Sequence, residues 1–79
     1  MKFIQIRDEV IVPKLVDMLG KTMAESLSRE SRFATAGAKD DNERLHITVE
    51  KTCSDERFIG MWGTAQADKQ KEEWLELLS

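Results

Sequence analysis

The chain has 79 residues, 41% of them apolar and 34% charged, with a net charge of −3 and a pI near 5.1. That balance excludes global disorder and points to a single domain spanning residues 1–79, with a core too small to enclose a deep substrate cleft. It also argues against binding nucleic acid through overall charge, and no apolar run approaches the roughly 20 residues that a membrane-spanning helix requires.

At the N-terminus, Lys2 to Ile6 is short and apolar, with Ile4 and Ile6 on one side of an extended segment and Phe3 on the other. It reads as an N-terminal or edge strand. The run then becomes charged before any apolar core develops, so no signal peptide is expected. Asp8 is a candidate helix cap, with Glu9 where a helix dipole favours a carboxylate. Pro13 favours a helix that starts there, because proline costs about 3 kcal/mol in a helix interior. Val10 to Val12 would then be extended.

From Pro13 the pattern is helical. Val12, Val16, Leu19, Met23 and Leu27 follow three- and four-residue steps, widened by Ile11, Leu15 and Met18. Since this stripe stays in phase across Gly20, the sequence favours one bent helix to about Ser28. The competing reading ends a first helix at Gly20 and opens a second at Thr22, with Glu25 completing a capping box.

Ser28 to Arg32 has no apolar residue and reads as the helix exit. Phe33 to Gly37 then reads as a strand, and Lys39 to Glu43 as a polar turn. Leu45, Ile47 and Val49 alternate with Arg44, His46, Thr48 and Glu50, the two-residue period of a strand with one buried face. Thr52 to Glu56 would close a hairpin onto a further strand, Arg57 to Trp62. Thr64 can cap a last helix whose stripe is Ala67, Trp74, Leu75 and Leu78. The expected fold class is therefore α+β: two layers, with a small antiparallel sheet of three meandering strands, a fourth from the N-terminus, and two helices packed on one face.

That sheet would turn Leu45, Ile47, Val49, Phe58, Gly60 and Trp62 toward the helices. Its other face would display Arg44, His46, Thr48, Glu50, Arg57, Ile59 and Met61, the candidate partner-binding residues. Ile59 and Met61 are the informative members, because a wet sheet face is normally polar and a mixed Arg, His, Ile and Met patch suits an interface. Covering by another element of the chain, or by a second copy, would explain the same residues.

Catalytic signals are weak. His46 is the only histidine and Cys53 the only cysteine; a strand and turn would hold them apart, which makes a poor metal or nucleophile pair. The run Asp40-Asp41-Asn42-Glu43 lacks the glycine and the distant glutamate of a calcium loop. Glycines 20, 37, 60 and 63 fit no phosphate or dinucleotide motif, so no cofactor and no metal are expected. Basic residues at Lys21, Arg29, Arg32, Arg44 and Arg57 form a candidate phosphate-contacting strip, but stacking aromatics are missing from it.

The sequence thus points to a non-catalytic, cytoplasmic protein-binding module, most concretely a small inhibitor of a larger protein or ribonucleoprotein complex. Phages and mobile elements encode proteins of this type, and anti-CRISPR proteins are similar in size and in lacking an enzymatic motif, which is an association by type alone. The alternative is a small homodimeric regulator or nucleic-acid-binding accessory protein. Direct nucleic-acid contact ranks behind a protein partner.

Overall fold

A computed structural model describes residues 2–78, with side chains to residue 77, and its described residues form five helices with no strand among them. Helix α1 runs over residues 3–19 as two α-helical stretches, Phe3–Ile6 and Val12–Leu19, joined by a π-helical segment, Arg7–Ile11. Then follow α2 (Lys21–Ala34), α3 (Asp41–Cys53), α4 (Glu56–Trp62) and α5 (Thr64–Leu75), with a final 3-10 turn, Glu76–Leu78. In space α1 packs on α2, α2 on α3, α3 on α5, and α5 on α4, while the first turn of α1 touches α3.

The π segment has a readable cause. The Val12 N–H bonds to the Arg7 carbonyl five residues back, so the helix widens immediately before Pro13. A proline ring clashes with the carbonyl four residues earlier and supplies no N–H, and a widened turn relaxes both problems. The inserted residue also resets the phase. Phe3 and Ile6 face the core, and so do Ile11, Leu15, Met18 and Leu19, although Ile6 and Ile11 are five apart. A regular helix would have turned Val10 inward and Ile11 partly away.

The α+β expectation is overturned. The segment Arg44 to Glu50 is the middle of α3, where Leu45, Thr48, Val49, Thr52 and Cys53 face inward at helical steps. Ile47, which the two-residue alternation assigned to a buried face, is only half-buried. Arg57 to Trp62 is α4, started by Asp55, with Phe58 fully buried. The Thr52 to Glu56 run spans the end of α3, the two-residue joint Ser54-Asp55 and the first residue of α4. Phe33 lies in the last turn of α2 with 78% of its surface exposed, and the turn begins only after Ala34. Lys39 to Glu43 contains a helix start: Asp40 caps α3 by accepting the Glu43 N–H at 2.8 Å.

Further boundaries move. Lys2 precedes a helical turn rather than opening a strand, Asp8 lies inside the π segment, and Val10 to Val12 are helical. The chain breaks at Gly20, which adopts φ 88° and ψ 161° and itself caps α2, so neither the single bent helix nor the Thr22 start is adopted. Gly63 repeats this conformation at φ 84° and ψ 161° and takes the capping position expected of Thr64. In α5 the expected stripe holds for Ala67 and Trp74, both buried, and Leu75 is half-buried; the Leu78 side chain lies outside the described residues. Gln70 joins the buried face.

Candidate functional site

With the sheet gone, the seven candidate surface residues no longer share one face. Thr48 is inside the core at 2% exposure. Arg44 pairs with Asp41 at 3.0 Å, and Asp41 also accepts the Phe3 N–H, so this arginine belongs to a cluster that joins the starts of α1 and α3. His46 and Glu50 do stay together. With Ile47, Lys51 and Ser54 on α3 and Ala34 at the end of α2, they line a shallow, largely apolar depression. Ile59 packs, partly buried, against the core. Met61 remains exposed, at 55%.

Arg57 is held in a network. Asp55 caps α4 by accepting the Arg57 N–H at 2.9 Å, and the same carboxylate receives the Arg57 guanidinium through Nε at 2.9 Å and Nη2 at 3.0 Å. Glu30 of α2 takes a further bond from Nη2. The guanidinium beside Asp55 holds its carboxyl below the usual value of 3.8, and the two carboxylates raise the pKa of Arg57. The arginine is therefore spent on joining α4 to α2, with its charge balanced locally.

The apolar edge of α4 is the most distinctive surface. Trp62 is 45% exposed beside Met61, and its indole Nε1 donates to the Met18 carbonyl at 2.9 Å. Met18 lies in the last turn of α1, where carbonyls lack helical partners, so the indole satisfies one of them. This bond also draws together the chain just before Gly20 and just before Gly63. The ring is thus pinned by its polar end while much of its apolar surface faces solvent. Gly60 and Gly63 have no neighbouring atoms where a side chain would begin, so this edge is open on their sides. The sequence signal for it was the pair Met61-Trp62 between two glycines, but strand alternation had assigned Trp62 to the inside.

Chemistry on the single cysteine is disfavoured locally. Cys53 is buried at 5% exposure, and burial pushes its thiol up to about 12, so the thiolate is scarce near neutral pH. His46 stands two helical turns away, about 10 Å along α3. Among the described residues, no three acidic, histidine or cysteine side chains converge as metal ligands, and no helix is long and apolar enough to cross a membrane. Of the basic strip, Arg29 and Arg32 line a groove with Asp8 and Glu25. Arg44 and Arg57 are ion-paired, so the five cations do not form one free basic face.

No family model, curated protein or solved structure matches this chain.

Proposed function

We propose that this chain is a non-catalytic protein-binding module that acts by occupying the surface of a larger partner, most concretely as a small inhibitor of a macromolecular complex. The observation that carries the reading is Trp62, half-exposed and hydrogen-bonded through its indole to the Met18 carbonyl, beside an exposed Met61. Tryptophan and methionine are enriched where proteins meet, and an aromatic ring already held in place loses little freedom on binding. Phe33, the most exposed large apolar side chain described, adds a second anchor on α2. Neutralisation of Arg44 and Arg57 supports a protein partner over nucleic acid. A cytoplasmic setting suits the buried free thiol of Cys53.

The test places a photo-reactive amino acid at position 61 in cells of the native host. One recurrent crosslinked protein is expected, absent when the same probe sits at the exposed Lys69. Met61→Asp should leave the thermal transition unchanged and weaken that complex at least about tenfold. A position-independent crosslinking pattern, or an unaltered affinity in Met61→Asp, would refute the reading. A dimer in sedimentation that the same substitution dissociates would replace it with self-association.

A further inference from the structure

A different surface carries a more specific statement. Between α1 and the stretch from Gln70 to Leu77 runs a groove with a largely apolar lining: Trp74 lies at its base, 2% exposed, flanked by Val10, Pro13 and Leu77. Its charged rim is lopsided. Glu9 and Asp17 stand on α1 and Glu73 on α5, against the single cation Lys14. None of these four is in an ion pair among the described residues. Gln70 is nine-tenths buried beside the groove and donates to Glu73 at 3.2 Å, which fixes that carboxylate on the rim.

Each wall is long enough to lie along a short helix. Positions 9 to 17 advance about 12 Å along α1 at 1.5 Å per residue, and positions 70 to 77 advance about 10 Å, so both walls match roughly two turns of a third helix. Two helix faces that leave an apolar furrow between them are what a packed third helix fills. Part of the furrow is also built by the π segment, since Glu9 and Val10 belong to it, and π-bulges occur frequently at functional sites.

We infer that the groove between α1 and α5 takes an amphipathic helical segment of a protein partner, with apolar side chains on one face and lysine or arginine beside them. The apolar face would cover Val10, Pro13 and Leu77 above Trp74, and the flanking cations would meet Glu9, Asp17 and Glu73. Charge complementarity selects this occupant over an acidic or uncharged helix, because three carboxylates against one ammonium would repel the former and leave the latter's rim contacts unmatched. The inference rests on the reading of the chain as a protein-binding module, but uses none of the residues at the α4 edge.

The probe is a synthetic helical peptide of leucine and lysine, with leucines at i, i+3, i+4 and i+7, titrated into the full chain and followed by amide chemical shifts. Shifts confined to α1 and α5 are expected, with binding weakened at least tenfold in the double variant Glu9→Lys/Asp17→Lys. The double variant Asp68→Lys/Glu72→Lys, with the same charge change on exposed positions of α5 outside the groove, should bind within about twofold of the parent at moderate salt. A version of the peptide with glutamate for lysine should not bind. Equal weakening by both double variants would reduce the effect to bulk charge and overturn the inference, as would shifts centred elsewhere. A concentration-dependent dimer that Glu9→Lys/Asp17→Lys dissociates would identify the occupant as a second copy. A photo-reactive residue at position 14 separates the two claims: partner capture there without capture at 61 removes the α4 edge and keeps the groove, and the converse removes the groove alone.

Discussion

The four connections between helices fall into two kinds. At Gly20 and Gly63 the chain turns on one residue whose φ and ψ are nearly identical and whose side chain supplies no cap. At Asp40 and Asp55 the backbone is ordinary extended chain and a carboxylate supplies the cap. The first kind stores its demand in a conformation; the second stores it in a side chain. Glycine joints bring helices together after a single residue, and the bond from Trp62 to Met18 is what holds the two glycine joints near each other. Of the aspartate joints, Asp55 is tied to a distant helix through Arg57 to Glu30, whereas the Asp40 carboxylate caps its own helix.

Replacing glycine gives the largest expected effect. Conformations near φ 85° and ψ 160° belong almost entirely to glycine, so Gly63→Ala should cost on the order of 1–3 kcal/mol in urea unfolding, and Gly20→Ala a similar amount. Open space surrounds both sites, so steric contact is not the cause. D-alanine at position 63, introduced by chemical synthesis, should reverse the sign and stabilise by about 0.4–1 kcal/mol, since its preferred φ is positive and the unfolded chain loses freedom. If the D and L residues destabilise equally, the conformational account of these joints is wrong.

Aspartate joints should give smaller losses that differ from each other. Asp40→Ala removes one cap, worth about 1 kcal/mol. Asp55→Ala should cost more than that, because it also releases the guanidinium of Arg57; Asp55→Asn, which can still cap, should recover part of the difference. Equal losses at the two sites would show that the exposed ion pairs contribute nothing measurable.

The smallest effect is in pH. Asp55 has a folded pKa lowered below 3.8 by Arg57, so its contribution is present above that value and is lost as pH falls through the lower, folded one. Stability measured from about pH 6 to about pH 2 should therefore fall less steeply in Asp55→Asn than in the parent. A parallel decline would assign the acid sensitivity to other carboxylates. Arg57→Glu, in contrast, is a poor probe of partner binding, because it would break this network before it touched any partner.

Much of this organisation has a signature in the chain. Asp40 and Glu43 ahead of Leu45 have the spacing of a helix start, and Leu45, Val49, Thr52 and Cys53 fit helical steps as well as Leu45, Ile47 and Val49 fit a strand. Ile47, Thr48, Val49 and Thr52 are β-branched, which tilted that choice toward a sheet. The candidate surface inherited the error: of the two residues that made it informative, Met61 is exposed on a helix edge and Ile59 is partly buried. The groove between α1 and α5 had no signature at all, because its walls are some sixty residues apart and one of them depends on a π-turn.

By itself the sequence determined that no apolar run is long enough to cross a membrane, and it determined the amphipathic last helix with Ala67 and Trp74 inward. Tertiary structure alone decided that 44–50 and 57–62 are helices and that the phase of α1 shifts by one residue. Short segments carry two periodicities at once, and their intrinsic preferences differ by less than the free energy of burying Leu45, Val49 and Phe58 together. Which period prevails is settled by the shared core those three side chains build with α1, α2 and α5.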